Sequence, residues 1–137
     1  MIALVPVIDR YARRLWPQIE AWIASAVADT GDWWHSDDVL VGIENGGLTL
    51  WVVTDEDELY GVVVCEVEVA PRKRVGVIAL CAGRDQSEWL HLLPDVEGWA
   101  RENGCSEVQV RGRPGWARRL KSHGYDDRYI TIGKALT

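Results

Sequence analysis

Apolar residues recur at Tyr11, Leu15, Ile19, Ile23 and Val27, every fourth position, and Trp16, Trp22 and Ala26 widen the stripe. That spacing predicts an amphipathic helix. Pro17 falls inside it, which predicts a kink or a restart with the proline in a first turn. Gly31 ends the pattern, and residues 5–8 before it suit a short edge strand. Ser36, followed by Asp37 and Asp38, reads as a second helix start: the serine caps, and the acids suit the positive end of the helix dipole. Val39, Leu40 and Ile43 give that helix a short apolar face, and Asn45-Gly46-Gly47 stops it.

The pattern then changes period. Residues 48–54 are almost wholly apolar, as in a strand covered on both faces. Residues 59–70 are β-branched and end in alternation, with Val67 and Val69 opposed to Glu66 and Glu68. Residues 75–82 form a third strand. Short polar turns between these three predict antiparallel neighbours. After a loop at residues 83–87, Trp89, Leu92, Leu93, Val96, Trp99 and Ala100 trace one helix face, with Pro94 inside it and Asn103-Gly104 as its stop. Residues 107–110 alternate as a strand. Pro114 opens a short helix carrying Trp116, Ala117 and Leu120, closed by Gly124, and residues 129–132 suit a last strand. The predicted fold is α/β (α+β): a mixed, largely antiparallel sheet with helices on both faces. Leu15, Ile19, Ile23, Leu93, Val96, Trp99 and Leu120 are its expected core.

The 137 residues suit one domain spanning 1–137. A net charge of −6 argues against a chain built to hold nucleic acid or an anionic membrane, and the longest apolar runs are too short to span a bilayer. With no basic stretch leading an apolar start, the default compartment is the cytoplasm. Cys65, Cys81 and Cys105 are odd in number and widely spaced, as reduced packing residues are. His35, His91 and His123 have no ligand spacing, so no metal is expected. Eight Trp and no Phe read as core packing. The basic groups Arg72-Lys73-Arg74, Arg111 with Arg113, and Arg118-Arg119-Lys121 read as solvated turns and helix faces, or as contacts for a phosphate or an acidic protein surface.

The element order resembles the GNAT fold of the Gcn5-related N-acetyltransferases. Residues 104–110 resemble that family's fifth strand after its long helix, and residues 116–125 resemble its last helix and the Gly-aromatic turn, here Gly124-Tyr125. Gly112-Arg113-Pro114-Gly115-Trp116, with Trp89 and the run from Trp99-Ala100-Arg101 to Gly104-Cys105, resembles more specifically the small GNAT-like proteins encoded by tailed bacteriophages.

The resemblance implies acetyl-CoA bound where the fourth and fifth strands splay. The pyrophosphate would then rest on backbone N–H groups of a Gly-rich turn. That places the cofactor along Cys81, Ala82, Gly83, Arg84, Gln86 and Ser87. This loop has one glycine where the family pattern has two. Asp85 and Glu88 have capping-box spacing, so the turn is expected to satisfy its own N–H groups and to repel phosphate. The family's tyrosine acid, four residues before the turn glycine, is Leu120 here, which cannot donate a proton. Tyr125 at the turn reads as a core plug, leaving Tyr129 as the candidate acid. Glu66 and Glu68 are the candidate bases, or else surface acids. Trp33 and Trp34 are the aromatics expected to be exposed, lining an acceptor groove or an interface, or packing over the sheet. Two readings result: an N-acetyltransferase acting on an amine, or a non-catalytic GNAT-like scaffold that binds a protein partner as a virion component or accessory factor.

Overall fold

The computed structural model describes residues 1–31, 33–112 and 115–137. Strand β1 (Ala3–Pro6) pairs antiparallel with β2 (Thr49–Thr54), β2 with β3 (Leu59–Ala70), and β3 with β4 (Lys73–Gly83). Strand β5 (Glu107–Val110) lies parallel to β4, from Val75 opposite Glu107 to Ile78 opposite Val110. A parallel neighbour needs a crossover, which helix α3 (Leu93–Glu102) supplies. The described residues thus form one five-stranded sheet in the order β1-β2-β3-β4-β5, mixed and mostly antiparallel.

Strand alternation deals the core into two layers. Leu50, Val52, Val62 and Val64 face Ile19 and Ile23 of α1 (Ala12–Asp29) and Ile43 of α2 (Ser36–Glu44). Trp51, Val53, Val63 and Cys65 face Leu93 and Val96 of α3 and Leu120 of α4 (Gly115–Leu120). Trp51 meets Trp99 edge to face, with ring centroids 6.4 Å apart. Leu15 and Trp99 are only half-buried, because each sits at the rim of its helix's apolar stripe.

Four local readings need correction. Helix α1 runs unbroken through Pro17, whose missing N–H deprives only the exposed turn at Arg13. The cap of α2 is His35, not Ser36. The His35 Nδ1 accepts the Asp37 N–H at 3.2 Å, and Asp38 answers by accepting the His35 N–H at 2.9 Å. Ser36 is buried in the first turn instead. Trp89 and Leu90 lie in two short 3₁₀ turns ahead of α3, which starts late enough for Pro94 to sit in its first turn, where it needs no donor.

Residues 129–132 form no strand: Tyr129 is 63%, Ile130 82% and Ile132 92% exposed. Their alternation favours extension, but a strand also needs a ladder, and the four ladders of this sheet do not include them. The helix expected to open at Pro114 begins outside the described residues. From Gly115 it runs to Leu120, continues as a 3₁₀ turn, and ends at Gly124 with φ +87°.

The β2–β3 turn is held by one carboxylate. Asp55 accepts the Asp57 and Glu58 N–H groups at 2.8 Å each and the Tyr60 hydroxyl at 2.6 Å. These bonds, the Tyr60 one foremost, hold its carboxyl down at about 2. The contribution of this turn is full above the ordinary carboxylate range of about 4 and is lost as pH falls through about 2. A carboxyl-carbon NMR titration should find that low midpoint, and Tyr60→Phe should raise it. In the core, Leu93 is 3% exposed, and Leu93→Ala should cost about 2–5 kcal/mol in a denaturant melt.

Candidate active site at the split between β4 and β5

One inserted residue shapes the site. Val64 pairs with Leu80 but Cys65 pairs with Ile78, so Ala79 is an extra residue in β4. A bulge of this kind shifts the alternation beyond it. Gly76 and Ile78 face α3, Ala79 and Leu80 both turn to the α1 layer, and Cys81 then returns to the α3 layer. The β4–β5 ladder ends at the same point. Its last bond is the Arg111 N–H to the Ile78 carbonyl, 3.1 Å. From Ala79 to Gly83, β4 keeps β3 on one side, and among the described residues no strand lies on the other.

The crotch of the split is nearly filled. A cavity of about 20 Å³, room for about one water, lies between Ala26 of α1, Thr30 just after it, and Ala79, Cys81, Val110 and Trp116. Trp116 fits because residue 112 is glycine: a Cβ there would lie 2.7 Å from the indole. The Arg119 guanidinium covers the Trp116 ring at 4.7 Å and donates to Gln86 Oε1 at 2.7 Å. Helix α4 is thereby tied to the turn that follows β4. Burial pushes the Cys81 thiol up to about 12, against the opposing pull of Arg119, so Cys81 is a neutral thiol and not a nucleophile at neutral pH.

The turn does not cap itself as its sequence suggests. Asp85 adopts φ +54°, the left-handed region, and makes no side-chain cap bond. A capping box needs an extended residue there. The conformation is set instead by Trp89, buried against Gly61, whose Nε1–H donates to the Arg84 carbonyl at 2.9 Å. The Asp85 carboxylate turns back to Arg84, 3.7 Å away. Arg84 itself bonds Glu58 at 2.5 Å and stacks on Tyr60 at 4.2 Å, while its N–H donates to the Tyr60 carbonyl. Cys81, Ala82 and Gly83 thus line the open end of β4, and Arg84, Gln86 and Ser87 form its turn. The side chains of Arg84 and Gln86 are both engaged.

An open groove of about 1740 Å³ flanks β5. Trp33, 84% exposed, and half-buried Trp34 line it, together with Glu66 and Glu68. Glu68 is paired with Arg111 at 2.6 Å, whereas Glu66 has no ion-pair partner among the described residues. Glu66 sits opposite Val77, two residues from the bulge. Tyr129 also lines this groove but at its far end, interacting with Lys73 at the start of β4. Six strand residues, roughly 20 Å, separate Lys73 from Ala79. The structure therefore brings Glu66, Trp33 and Trp34 into one groove with Tyr129, but sets Tyr129 well away from the split. Ala79 was not singled out from the sequence, Trp116 was read only as a helix-face residue and part of a resemblance motif, and Arg119 only as part of a basic group. The run 75–82 is apolar on both faces, so it carries no sign of a bulge, and only the Gly112–Trp116 pairing could have hinted at the packed crotch.

A mixed sheet of this order, bulged and split at β4, decides the comparison. The fold is that of the GNAT acetyltransferases. Ribosomal-protein-alanine N-acetyltransferase from Brucella melitensis biovar Abortus 2308 superposes with a TM-score of 0.72 at 12% identity, over 100% of both chains. Glucosamine-6-phosphate N-acetyltransferase from Arabidopsis thaliana gives 0.70 at 11% identity, over 100% of this chain and 99% of its own. A predicted acetyltransferase from Clostridium acetobutylicum, solved with acetyl-CoA, gives 0.69 at 12%, over 97% and 96%. At such identities the likeness is one of fold. No family model matches the chain, and no curated protein matches it in sequence. Among the described residues, no helix is long and apolar enough to cross a membrane.

The neutral, partly buried thiol makes a direct prediction. Iodoacetamide at pH 8 should alkylate Cys81 at least about tenfold more slowly than free cysteine, as read by peptide mass spectrometry.

Proposed function

We infer that this GNAT-like chain is an N-acetyltransferase that takes acetyl-CoA along the open edge of β4 and passes its acetyl group to an amine in the groove beyond. The observation that carries this reading is the bulge at Ala79, which ends the β4–β5 ladder and leaves residues 79–83 extended and unpaired on one side. Such an edge binds an amide-bearing chain as it would an added strand. The fit extends to the turn. Gly83, at φ +153°, packs so tightly on Tyr60 and Gly61 that a Cβ is excluded, and the Asp85 side chain does not cap the turn, although the Arg84 and Glu88 N–H groups are spent on the Tyr60 and Asp85 carbonyls. The turn's remaining N–H groups suit a phosphate.

When bound, acetyl-CoA supplies a thioester carbonyl open to attack by an amine. The Ala79–Gly83 edge orients its chain, and the turn at Gly83, Arg84, Gln86 and Ser87 holds its charged end. Glu66, on the groove side of β3, takes the proton of the attacking amine. Glu68 serves as an alternative base only when Arg111 releases it. Tyr129 would protonate the leaving sulfur only after the tail moved toward the split, so that proton comes from solvent. Trp33 and Trp34 present flat apolar surface to the acceptor.

A second reading is favoured by one observation. Arg84 and Gln86 are already bonded to Glu58 and Arg119, and Trp116 fills the crotch. A non-catalytic module of this shape, as in a phage particle or a host-factor binder, would hold a protein partner and ignore acetyl-CoA.

Thermal denaturation separates the two. Acetyl-CoA at about 100 times its Kd should stabilise the chain by about 2.7 kcal/mol, a rise of several degrees in Tm. Glu66→Gln should keep that rise and lower kcat about 10²- to 10⁴-fold. No rise at millimolar acetyl-CoA, with no amine acetylated, would favour the binding module.

A further inference from the structure

The split is bridged as well as filled. Arg119 of α4, the helix after β5, donates at 2.7 Å to Gln86 Oε1, in the turn after β4. The same guanidinium covers Trp116 at 4.7 Å, and that indole lies against Gly112 at the apex of the split. A donor whose charged end sits at the turn reaches Ala79 with its acyl end, so its narrow arm must pass where the indole stands. The cavity left there, about 20 Å³, has room for about one water and none for a pantetheine arm. Little else fixes α4. It has six residues and buries one of them, Leu120, and a helix so short has little stability of its own.

We propose that Arg119 is a phosphate-binding latch: in the free chain it holds α4 across the split, and the donor's phosphates take its guanidinium from Gln86, so that the indole leaves the arm's path. This rests on the acetyl-CoA reading above. Of the cations at the turn, Arg84 is nearest in sequence, but its guanidinium bonds Glu58 and stacks on Tyr60, and Asp85 lies 3.7 Å from it. Arg119 has no ion-pair partner among the described residues, and it donates to a neutral amide. It is exposed, and its charge acts on Cys81 at the open edge of β4. A guanidinium bonds phosphate more strongly than it bonds an amide oxygen, because both partners are then charged.

Such a latch couples recognition to opening. A ligand opens a closed state only through contacts that it makes better in the open one. Here those contacts are phosphate on Arg119, and drawing the guanidinium away also uncovers Trp116. A donor without phosphates must wait for the split to open unaided, and its apparent affinity falls by the fraction of chains that are open. Removing the cation therefore acts in opposite directions on the two kinds of donor. The phosphate-free donor gains, because the latch is gone. The phosphate-bearing donor loses, because the bond lost is stronger than the bond spared.

Isothermal titration calorimetry of the full chain tests this with two donors: acetyl-CoA, and S-acetylpantetheine, which keeps the thioester and the arm but has no phosphate. Arg119→Gln should weaken acetyl-CoA binding about tenfold and tighten S-acetylpantetheine binding about threefold or more. Trp116→Ala should tighten both about tenfold. Arg119 is exposed, so Arg119→Gln should leave the circular dichroism spectrum unchanged, and it decides alone if Trp116→Ala does not fold. Arg119→Gln moving both donors in one direction, or leaving either unmoved, would overturn the latch while the acetyl-CoA reading stands. So would a folded Trp116→Ala chain that binds neither donor more tightly. If none of the three chains binds either donor at millimolar concentration, the acetyl-CoA reading falls, and the latch with it.

Discussion

The single inserted residue at Ala79 governs this molecule. A regular β4 could carry a parallel ladder past Ile78, and its side chains would keep one alternation throughout. The bulge breaks both regularities at one point. It sends Ala79 and Leu80 together into the α1 layer, returns Cys81 to the α3 layer, and releases β5 to diverge toward α4. The open edge, the crotch that Trp116 fills and the groove beside Glu66 all follow from that divergence. Small residues at 79 and 82 let α1 cover β4 even though two successive side chains point its way.

The turn after β4 shows packing overruling local chemistry. The spacing of Asp85 and Glu88 suits a capping box, and in an isolated peptide the two would compete for the same N–H groups. Here Trp89 is inserted beneath the turn, against Gly61, and its indole N–H fixes the Arg84 carbonyl. Burying an indole outweighs one exposed cap, which is worth about 1 kcal/mol. Asp85 must then take the left-handed conformation, which Asp tolerates better than most residues. The Asp85 side chain is thus kept from capping the turn by a constraint several residues away, while the Arg84 and Glu88 N–H groups find backbone carbonyls.

Much of the scaffold was legible in the sequence because it rests on periodicity. The every-fourth-residue stripe of α1 and the polar turns between residues 48 and 82 need no long-range information, and neither does the parallel return of β5 after a helix. The bulge was not legible, since the run 75–82 is apolar on both faces and shifting it by one residue changes no hydrophobic count. His35 was overlooked as a cap because serine and acids beside it offered the commoner signal. Residues 129–132 read wrongly as a strand of this sheet, because a ladder depends on where the partner edge lies. Of the site, the loop and Glu66 were visible as residue types. Trp116 and Arg119 acquire meaning only through the contact of α4 with the turn.

That contact couples the two halves of the split. Strand β5 is held to β4 by four residue pairs and, at its first residue, by the Lys73–Glu107 ion pair, part-buried and 2.7 Å long. The Arg111–Glu68 pair at the other end is exposed and contributes little. Resistance to widening therefore comes mainly from apolar packing on the α3 side, where Val108, Val110 and Trp116 adjoin Trp99 and Leu120. Because Arg119 both covers Trp116 and bonds Gln86, α4 cannot move away from the crotch without also pulling on the turn after β4. A ligand lying along β4 would meet both at once: its narrow middle against Trp116 and its charged end against Gln86. Displacing the indole costs packing, and freeing Gln86 costs one exposed charge-assisted bond, so the crotch sets the larger barrier. The open groove near Glu66 and the closed crotch near Cys81 are then two sides of one arrangement, in which α4 decides whether the edge of β4 is accessible.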